Sequence, residues 1–392
     1  MSKGGALEGI RVLDVTQVMA GPFCAMQLCD MGADVIKVEP PEGDVTRKMG
    51  ARAGADSAGY AALNRGKRAI ALDLKSIAGR DAMRRLADRS DVLVENFRPG
   101  VMADLGLDYD TLAASNPRLI YASISGYGQT GPDAHKGGFD LVAQAVSGLM
   151  SVTGEPGRPP VKCGVPVTDL AAGLFALAGI LAALRHRDHT GRGQHIDTSL
   201  VEAGLALSVW EAAQYFADGV TPEPLGSAHR FLAPYQAIRC ADGYIAIGAG
   251  TDRLFRQLCA LLGHDEWSAD PQFVDTSARV RNRASLISGI ESVTIERDSK
   301  YWLAHLEAHG IPCGPINTYA DAFSDAHLHS RQMIVEIDHP TLGRLRTLGS
   351  PLKMSVTPTV VKGGVPGLGE HTNEVLREAG LSDDEISRVV AP

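Results

Sequence analysis

The chain has 392 residues, of which 44% are hydrophobic and 21% charged, a composition typical of a folded protein with two lobes rather than a disordered chain. Its net charge of -8 argues against a general nucleic-acid interface, because such interfaces are basic. Its six cysteines include no C-x-x-C pair, which argues against a zinc site or a disulfide framework and fits a reducing cytoplasm.

The first two hundred residues alternate between short apolar strands and helices, which is the pattern of parallel βαβ units. The predicted strands are Ile10–Val15, Asp34–Glu39, Ala69–Leu74, Asp91–Glu95, Leu119–Ile124 and Gln194–Ser199. The predicted helices are Phe23–Met31, Ser76–Arg89, Phe139–Met150, Leu170–Arg187 and Leu200–Ala217. We therefore expect an α/β fold whose large domain, residues 1–217, is doubly wound and Rossmann-like.

The pattern changes after residue 217. Residues 218–226 are rich in Pro and Gly and predict a linker, and residues 227–330 predict a smaller α+β domain. The predicted elements of the small domain are the hairpin strands Tyr235–Arg239 and Tyr244–Gly248 and the helices Asp252–Leu262, Arg283–Arg297 and Lys300–His309. Beyond it, we predict strands at Ile334–Asp338 and Arg344–Leu348 and helices at Thr372–Ala379 and Asp383–Val389.

Asp169 stands between a loop, 161–168, and the apolar run Leu170–Leu184, in which no side chain can neutralise it. A helix that begins here puts the carboxylate at or beside the N-cap, where backbone N–H groups and the macrodipole favour the anion. An ionised and poorly solvated carboxylate suits nucleophilic attack on an acyl carbon. A plain helix cap, at Asp169 or at Thr168, explains the same residues.

The run Leu170–Leu184 also bears on the membrane question. It is shorter than the roughly 20 residues that span a bilayer, so we expect a buried helix. The first residues, Met1–Glu8, contain no hydrophobic signal core. We therefore expect a cytoplasmic protein without a membrane partner.

Several loops after strands have ligand-binding character. Lys75 and Asn96–Arg98 follow strands at the carboxyl end of the predicted sheet, where open α/β folds bind ligands. Arg98 suits a phosphate and Phe97 suits stacking on a base, although a solvated surface accounts equally for such residues. The glycine-rich loop 126–138 is typical of a ligand-binding or gating loop, and Gly248–Gly250 is either a second such loop or a simple turn.

Other chemistries find less support in the sequence. Glu39 ends the second strand as a ribose-binding acid would, but the first turn lacks G-x-G-x-x-G, which disfavours an NAD-dependent dehydrogenase. The chain contains neither G-x-S-x-G nor H-E-x-x-H, so we expect neither a hydrolase of those types nor a metal.

Taken together, these segments resemble the family III CoA-transferases, the group of formyl-CoA transferase and crotonobetainyl/carnitine CoA-transferase. The most specific stretches are VENFRPG at 94–100, SGYGQTGP at 125–132 and GVPVTDLAAG at 164–173. The other matching stretches are 7–14, 32–39, 64–68, 72–75, 191–194, 234–237, 242–244, 248–250 and 370–372. The matches are in order over nearly the whole chain.

The resemblance implies that Asp169 is the catalytic carboxylate. It would attack the donor thioester to give a mixed anhydride, which free CoA converts to an aspartyl-CoA thioester, and the acceptor carboxylate then reverses the sequence. Both acyl intermediates must be kept from water, which gives the loop Gly248, Ala249 and Gly250 a purpose as a lid. No metal takes part.

The resemblance also implies a coenzyme A site and an assembly. The implied CoA contacts are Met19, Ala20, Leu72, Asp73, Leu74, Lys75, Asn96, Phe97, Arg98, Lys136, Gly137, Gly138, Phe139 and Asp140. Some family members have basic residues where this chain has Pro40 and Asp104, so those two contacts differ here. The family forms interlocked homodimers in which a return segment, here 331–392, completes the large domain.

We expect the substrates to be acyl-CoA and small carboxylic acids, with succinyl-CoA as the favoured donor. Arg47 and Arg230 lie in loops, and arginine suits bidentate binding of a second carboxylate. An α-methylacyl-CoA racemase on the same fold is an alternative, but those enzymes carry an acid/base histidine where this chain has Phe139, which cannot transfer a proton. A non-catalytic acyl-CoA-binding protein would have no need of Asp169.

Overall fold

The computed structural model describes residues 4–53, 56–339 and 343–390. They form two compact units. The first consists of the described residues of Met1–Leu149, Lys162–Gly219 and Ala326–Pro392. The second consists of Met150–Val161 and Val220–Asp325.

The strands and helices of both units are numbered here in chain order. In chain order, the strands are β1 (Arg11–Asp14), β2 (Asp34–Glu39), β3 (Arg52–Ala53), β4 (Asp56–Ser57), β5 (Arg68–Ala71), β6 (Val92–Glu95), β7 (Ile120–Ser125), β8 (His195–Ser199), β9 (Tyr235–Cys240), β10 (Gly243–Gly248), β11 (Cys313–Pro315), β12 (Ile334–His339) and β13 (Gly343–Leu348). The first eight helices are α1 (Ala20–Asp30), α2 (Ala58–Asn64), α3 (Ile77–Asp88), α4 (Val101–Asp104), α5 (Tyr109–Ser115), α6 (Asp140–Val146), α7 (Leu149–Val152) and α8 (Val167–Thr190). The others are α9 (Leu200–Leu207), α10 (Val209–Asp218), α11 (Asp252–Leu262), α12 (Thr276–Arg281), α13 (Arg283–Thr294), α14 (Ser299–Ala308), α15 (Tyr319–Ser324), α16 (Ala326–Ser330), α17 (Thr372–Glu378) and α18 (Asp383–Val390), with 3-10 turns at Val45–Lys48 and Asp265–Ala269.

A six-stranded sheet in the order β5-β2-β1-β6-β7-β8 organises the first unit, and every neighbouring pair is parallel. Successive side chains of a strand point to opposite faces, and here both faces are covered by helices. Val12 and Val94 belong to a core with α1, α8 and α9, while Leu13 and Leu93 belong to a core with α3, α17 and α18. Burial on both faces explains why apolar residues are consecutive in strands such as β1 and β6, and the predicted α/β fold is confirmed.

Helix α8 is longer than predicted because it begins at Val167 and runs to Thr190. By length and composition alone it could cross a membrane, a test that core helices also pass. About half of its most apolar stretch is buried, and it packs against α1, α9 and β7. Its residues Ala172, Ala176 and Ile180 are fully buried in the core of the first unit.

Two predicted helices are interrupted. The helix predicted over 200–217 is divided at Ser208 into α9 and α10. The helix predicted over 139–150 is divided before Leu149, because Gly148 has a φ of 88°, a left-handed conformation that ends a helix.

The second unit is built on an antiparallel sheet in the order β11-β10-β9. The predicted hairpin is present as β9 and β10, and β11 adds a strand that the sequence did not predict. Its core joins Ile238 and Ile245 of the sheet to Phe255 of α11, Ile290 of α13 and Trp302 of α14.

Candidate active site

Asp169 lines a cavity of about 280 Å³ in the first unit. Several predicted coenzyme A contacts line the same cavity: Met19, Ala20, Asn96, Phe97, Arg98, Lys136, Gly137, Gly138 and Phe139. The loops that follow β1, β6 and β7 supply most of these residues, because the carboxyl ends of parallel strands meet at one edge of the sheet. Distant segments of the predicted site are thus brought together around Asp169.

A second cavity, of about 490 Å³, contains the other predicted segment. Leu72, Asp73, Leu74 and Lys75 line it together with Pro40. Gln17 and Phe97 line both cavities, so the two share a wall. Asp140, the remaining predicted contact, lines neither cavity. Its charge instead affects the pKa of Asp169.

The carboxylate of Asp169 belongs to the third residue of α8, whose N-cap is Pro166. Burial, followed by the nearby charge of Asp140, raises the pKa of Asp169 from 3.8 to about 7. We expected the helix start to favour the anion. That prediction was wrong, because partial burial and a like charge raise the pKa of this carboxyl group. Among the described residues, none donates a hydrogen bond to this carboxylate.

Asp140, the first residue of α6, is tied directly to the start of α8. Its Oδ1 accepts hydrogen bonds from the backbone N–H of Thr168 at 3.0 Å and from the Thr168 hydroxyl at 2.8 Å. Its Oδ2 accepts from Gln144 Nε2 at 2.7 Å, and Gln144 Oε1 accepts from the N–H of Cys163 at 2.8 Å. These bonds fix the Asp140 carboxylate at the start of α8, where its charge disfavours ionisation of Asp169.

Gln17 lines the cavity but was missed by the sequence analysis. The backbone N–H of Gln17 donates to Asn96 Oδ1, and Asn96 Nδ2 donates to the backbone carbonyl of Gln17, both at 2.8 Å. The following residue, Val18, has a φ of 69°, which is strained for a β-branched side chain. The sequence could have indicated Gln17 by its place in the turn that also contains the predicted contacts Met19 and Ala20.

Glycine is required where the two ends of the glycine-rich loop 126–138 meet. A Cβ added to Gly138 would lie 2.4 Å from the Cα of Gly126, and one added to Gly126 would lie 2.7 Å from the Cα of Gly138. A Cβ on Gly137 would lie 3.0 Å from Nη2 of Arg98. The two ends of the glycine-rich loop therefore pack directly against each other, and the loop also packs against the Arg98 guanidinium that we predicted to bind phosphate.

Arg47 is held in a buried ion network, and the structure gives no support to its predicted role as a substrate ligand. It is 5% exposed, and its guanidinium donates to both carboxylate oxygens of Glu39 at 2.6 and 2.7 Å. It also donates to Asp56 at 2.9 Å and to the hydroxyl of Tyr60 at 2.5 Å. Carboxylates of its own chain occupy this arginine, so no charge is left for a substrate.

A second buried ion network lies under the first turn. Lys67 Nζ donates to Asp14 Oδ2 at 2.7 Å, to Asn64 Oδ1 at 2.9 Å and to the carbonyl of Pro22 at 3.1 Å. Asp14 also accepts from the N–H and the hydroxyl of Thr16. This network anchors both ends of the turn that contributes Gln17 to Ala20.

The predicted lid residues and Arg230 belong to the second unit. Gly248 ends β10, and the N–H of Ala249 donates to the carbonyl of Pro234 at 2.9 Å. The carbonyl of Gly250 accepts from Nη2 of the fully buried Arg279, also at 2.9 Å. Arg230 donates from Nη2 to the carbonyl of Glu223 at 2.8 Å. The role of this loop as a lid stays a prediction.

Comparison with known proteins identifies the family. The sequence pattern of CoA-transferase family III matches residues 7–372. The chain is 40% identical over 380 residues to the succinyl-CoA:glutarate CoA-transferase of Mus musculus, covering 96% of this chain and 87% of that protein. It is 41% identical over 388 residues to the succinyl-CoA:mesaconate CoA-transferase of Haloarcula hispanica, covering 96% and 97%. A crystal structure of a CAIB/BAIF family protein from Brucella suis matches with a TM-score of 0.86 and 40% identity, covering 96% and 100%. The chain therefore belongs to CoA-transferase family III and is a CoA-transferase.

Proposed function

We propose that this enzyme transfers CoA from succinyl-CoA to a small carboxylic acid through a covalent intermediate on Asp169. The observation that carries the proposal is the position of Asp169, whose carboxylate lines one cavity together with Arg98, Lys136 and Gly138. Asp169 is half-buried and close to the like charge of Asp140, so its carboxylate is a high-energy group, and such groups are suited to nucleophilic attack.

The steps balance without any other reactant. An oxygen of Asp169 attacks the thioester carbonyl, the C–S bond breaks, and CoA leaves as a thiolate while a mixed anhydride remains on the enzyme. The thiolate then attacks the aspartyl carbonyl, which forms the aspartyl-CoA thioester and releases the donor acid. The acceptor carboxylate attacks the carbonyl of that thioester, the C–S bond breaks, and CoA thiolate leaves while a second anhydride forms. The thiolate then attacks the acceptor carbonyl of this anhydride, which gives the acceptor acyl-CoA and releases the Asp169 carboxylate.

We infer that coenzyme A occupies the two cavities that share Gln17 and Phe97. Arg98 and Lys75, one in each cavity, supply positive charge for phosphate groups. Lys136 lies at the cavity rim and pairs with Asp133 at 2.8 Å on the surface, so it must exchange that partner to bind a phosphate. A combined volume of several hundred Å³ suits a large cofactor rather than a small acid alone.

The choice of succinyl-CoA rests on the relatives. The proteins from Mus musculus and Haloarcula hispanica are named for succinyl-CoA and for glutarate or mesaconate, and all three acids are dicarboxylic. We propose a dicarboxylic acceptor for the same reason. Arg47 is paired inside the protein, and a role for Arg230 in binding the second carboxylate stays a prediction.

The test of the nucleophile is the Asp169→Asn variant. Asn keeps the size of the side chain but has no anionic oxygen, so transfer should be lost while CoA binding remains. Incubation of the native enzyme with succinyl-CoA and hydroxylamine should mark Asp169 as a hydroxamate in the peptide mass spectrum. Asp110→Asn, in the first turn of α5, is the matched control and should leave transfer unchanged. Transfer near the native rate in Asp169→Asn would exclude it as the nucleophile.

We also propose that the enzyme is an interlocked homodimer. Helix α10 buries none of its residues within its own chain, and Val209 and Phe216 are 73% and 83% exposed. Phe139, beside the active-site cavity, is 74% exposed. Monomers rarely expose apolar surface of this extent, so a second copy of the chain is the partner that we expect. Light scattering at nanomolar concentration should give the mass of a dimer, and a monomer would contradict the proposal.

A further inference from the structure

Glu95 is a buried carboxyl group for which the transfer chemistry has no use. It is the last residue of β6 and is 3% exposed. The next three residues, Asn96–Arg98, line the active-site cavity. The Oε2 atom of Glu95 accepts a hydrogen bond from the backbone N–H of Phe97 at 2.8 Å. The carboxyl group therefore holds the turn that presents Phe97 and Arg98.

A polar path connects Glu95 with the surface. In the sheet, Glu95 pairs with Ser123 of β7, and Ser123 pairs with Asp197 of β8, so the three side chains share one face. The hydroxyl of Ser123, itself buried, hydrogen-bonds Glu95 and lies 2.9 Å from Nε2 of His195. His195 is exposed, and through this path the buried carboxyl group can exchange its proton with water.

We propose that Glu95 is a positioning residue whose ionisation sets the affinity of the enzyme for coenzyme A, through the Asn96–Arg98 segment. The inference rests on the proposed coenzyme A site. An ionised carboxylate accepts the N–H of Phe97 in a charge-assisted hydrogen bond, which is stronger than a bond to the neutral acid. When Glu95 is protonated, that bond weakens and Phe97 and Arg98 are held less firmly.

The surroundings of Glu95 favour its titration near neutral pH. Burial raises its pKa to about 7, and the charge of Asp197 acts in the same direction, while the bonds from Ser123 and Phe97 oppose both. Partial burial of its ring lowers the pKa of His195, which favours the neutral imidazole. The titratable groups on the elements packed around it are Tyr121 of β7, His195 and Asp197 of β8, and Asp108, Tyr109 and Asp110 at the start of α5.

The experiment measures CoA binding by calorimetry at pH 6, 7 and 8 in the full-length Asp169→Asn protein, which removes the titration of the nucleophile. The phosphate of CoA also ionises near pH 6, and this contribution is the same for every variant. The affinities of the variants are therefore compared with one another at each pH. We expect the affinity for CoA to be about five- to ten-fold higher at pH 8 than at pH 6 because of Glu95. The added Glu95→Gln change should remove this part of the pH dependence. Adding Asp110→Asn instead, a carboxyl-to-amide change near His195, should leave it in place.

Two further variants separate the possible outcomes. Ser123→Ala removes a bond that favours the ionised form, so it should move the midpoint of the pH dependence to higher pH. Arg98→Ala should weaken CoA binding at every pH. An unchanged pH profile in folded Glu95→Gln and Ser123→Ala proteins, with binding lost in Arg98→Ala, would overturn the role of Glu95 alone. Native affinity in Arg98→Ala would overturn the coenzyme A site and this inference with it.

Discussion

The Asp169→Asn variant is expected to gain stability relative to the native enzyme as the pH rises from 5 to 8. The folded pKa of about 7 lies above the ordinary value of 3.8, so between these values the folded state binds the proton more tightly than the unfolded state. The native enzyme therefore loses stability as the pH rises to about 7 and loses no more above it. Asn carries no proton in either state and lacks this dependence.

The magnitude follows from the shift. Two pKa units lie between pH 5 and the folded pKa, and at about 1.4 kcal/mol per unit the free energy of unfolding of the variant should gain about 2–3 kcal/mol on the native enzyme. This difference between two pH values is independent of any constant cost of burying the amide.

Urea unfolding at pH 5, 6, 7 and 8 measures this difference, with one protein concentration throughout because a dimer's stability depends on it. Asp110→Asn is the control for loss of a carboxylate from the first turn of a helix and should show no such slope. Native and Asp169→Asn curves that run parallel from pH 5 to pH 8 would refute the raised pKa and, with it, the account of Asp169 as a buried high-energy carboxylate.

Three other substitutions test the surroundings of the site. Asp140→Asn removes the like charge beside Asp169 but keeps an acceptor for Thr168, so the acid limb of the kcat/KM profile should move to lower pH. Lys67→Met leaves Asp14 buried without its nearest cation and should lower the free energy of unfolding by about 3–5 kcal/mol in urea, whereas a loss below about 1 kcal/mol would show that Lys37 compensates. Gly138→Ala must displace the backbone of Gly126 and should raise KM for succinyl-CoA by about ten-fold or more, whereas Gly164→Ala, which meets only open space, should not.

The sheet was predictable from the sequence because burial on both faces leaves a local signature. In β2 and β6 apolar residues are consecutive instead of alternating with polar ones, as in Val35–Ile36 and Val92–Val94. The polar cap Asp44 and Gly100 mark the helical turns that follow these strands. The breaks at Gly148 and Ser208 were not predicted, because the apolar pattern continues across both positions. A local pattern reports which face is buried, whereas the interruption of a helix depends on the backbone of one residue.

The sequence was sufficient to predict which segments form the candidate site. It was not sufficient to predict the charge state and the ion pairs of the residues in them. Asp169 was found because it stands at the boundary between a loop and an apolar run, which is local information. The pKa of Asp169 is raised first by partial burial and then by the charge of Asp140, which comes from another helix. The availability of Arg47 depends on Glu39 and Asp56. Pairing between distant segments decides the charge of a buried group, and composition and spacing do not record it.

The arrangement of Asp140 and Asp169 also bears on why a covalent intermediate would be favoured. In the free enzyme the charge of Asp140 raises the cost of ionising the half-buried Asp169. The proposed acylation of Asp169 would convert its carboxylate to a neutral anhydride or thioester, so the repulsion would end when the bond forms. The hydrogen bonds that Asp140 accepts from Thr168 fix it to the start of α8, so it cannot move away to relieve that repulsion earlier. The like charge thus destabilises the reactant more than the acyl-enzyme, which is the direction that a transferase with covalent intermediates requires.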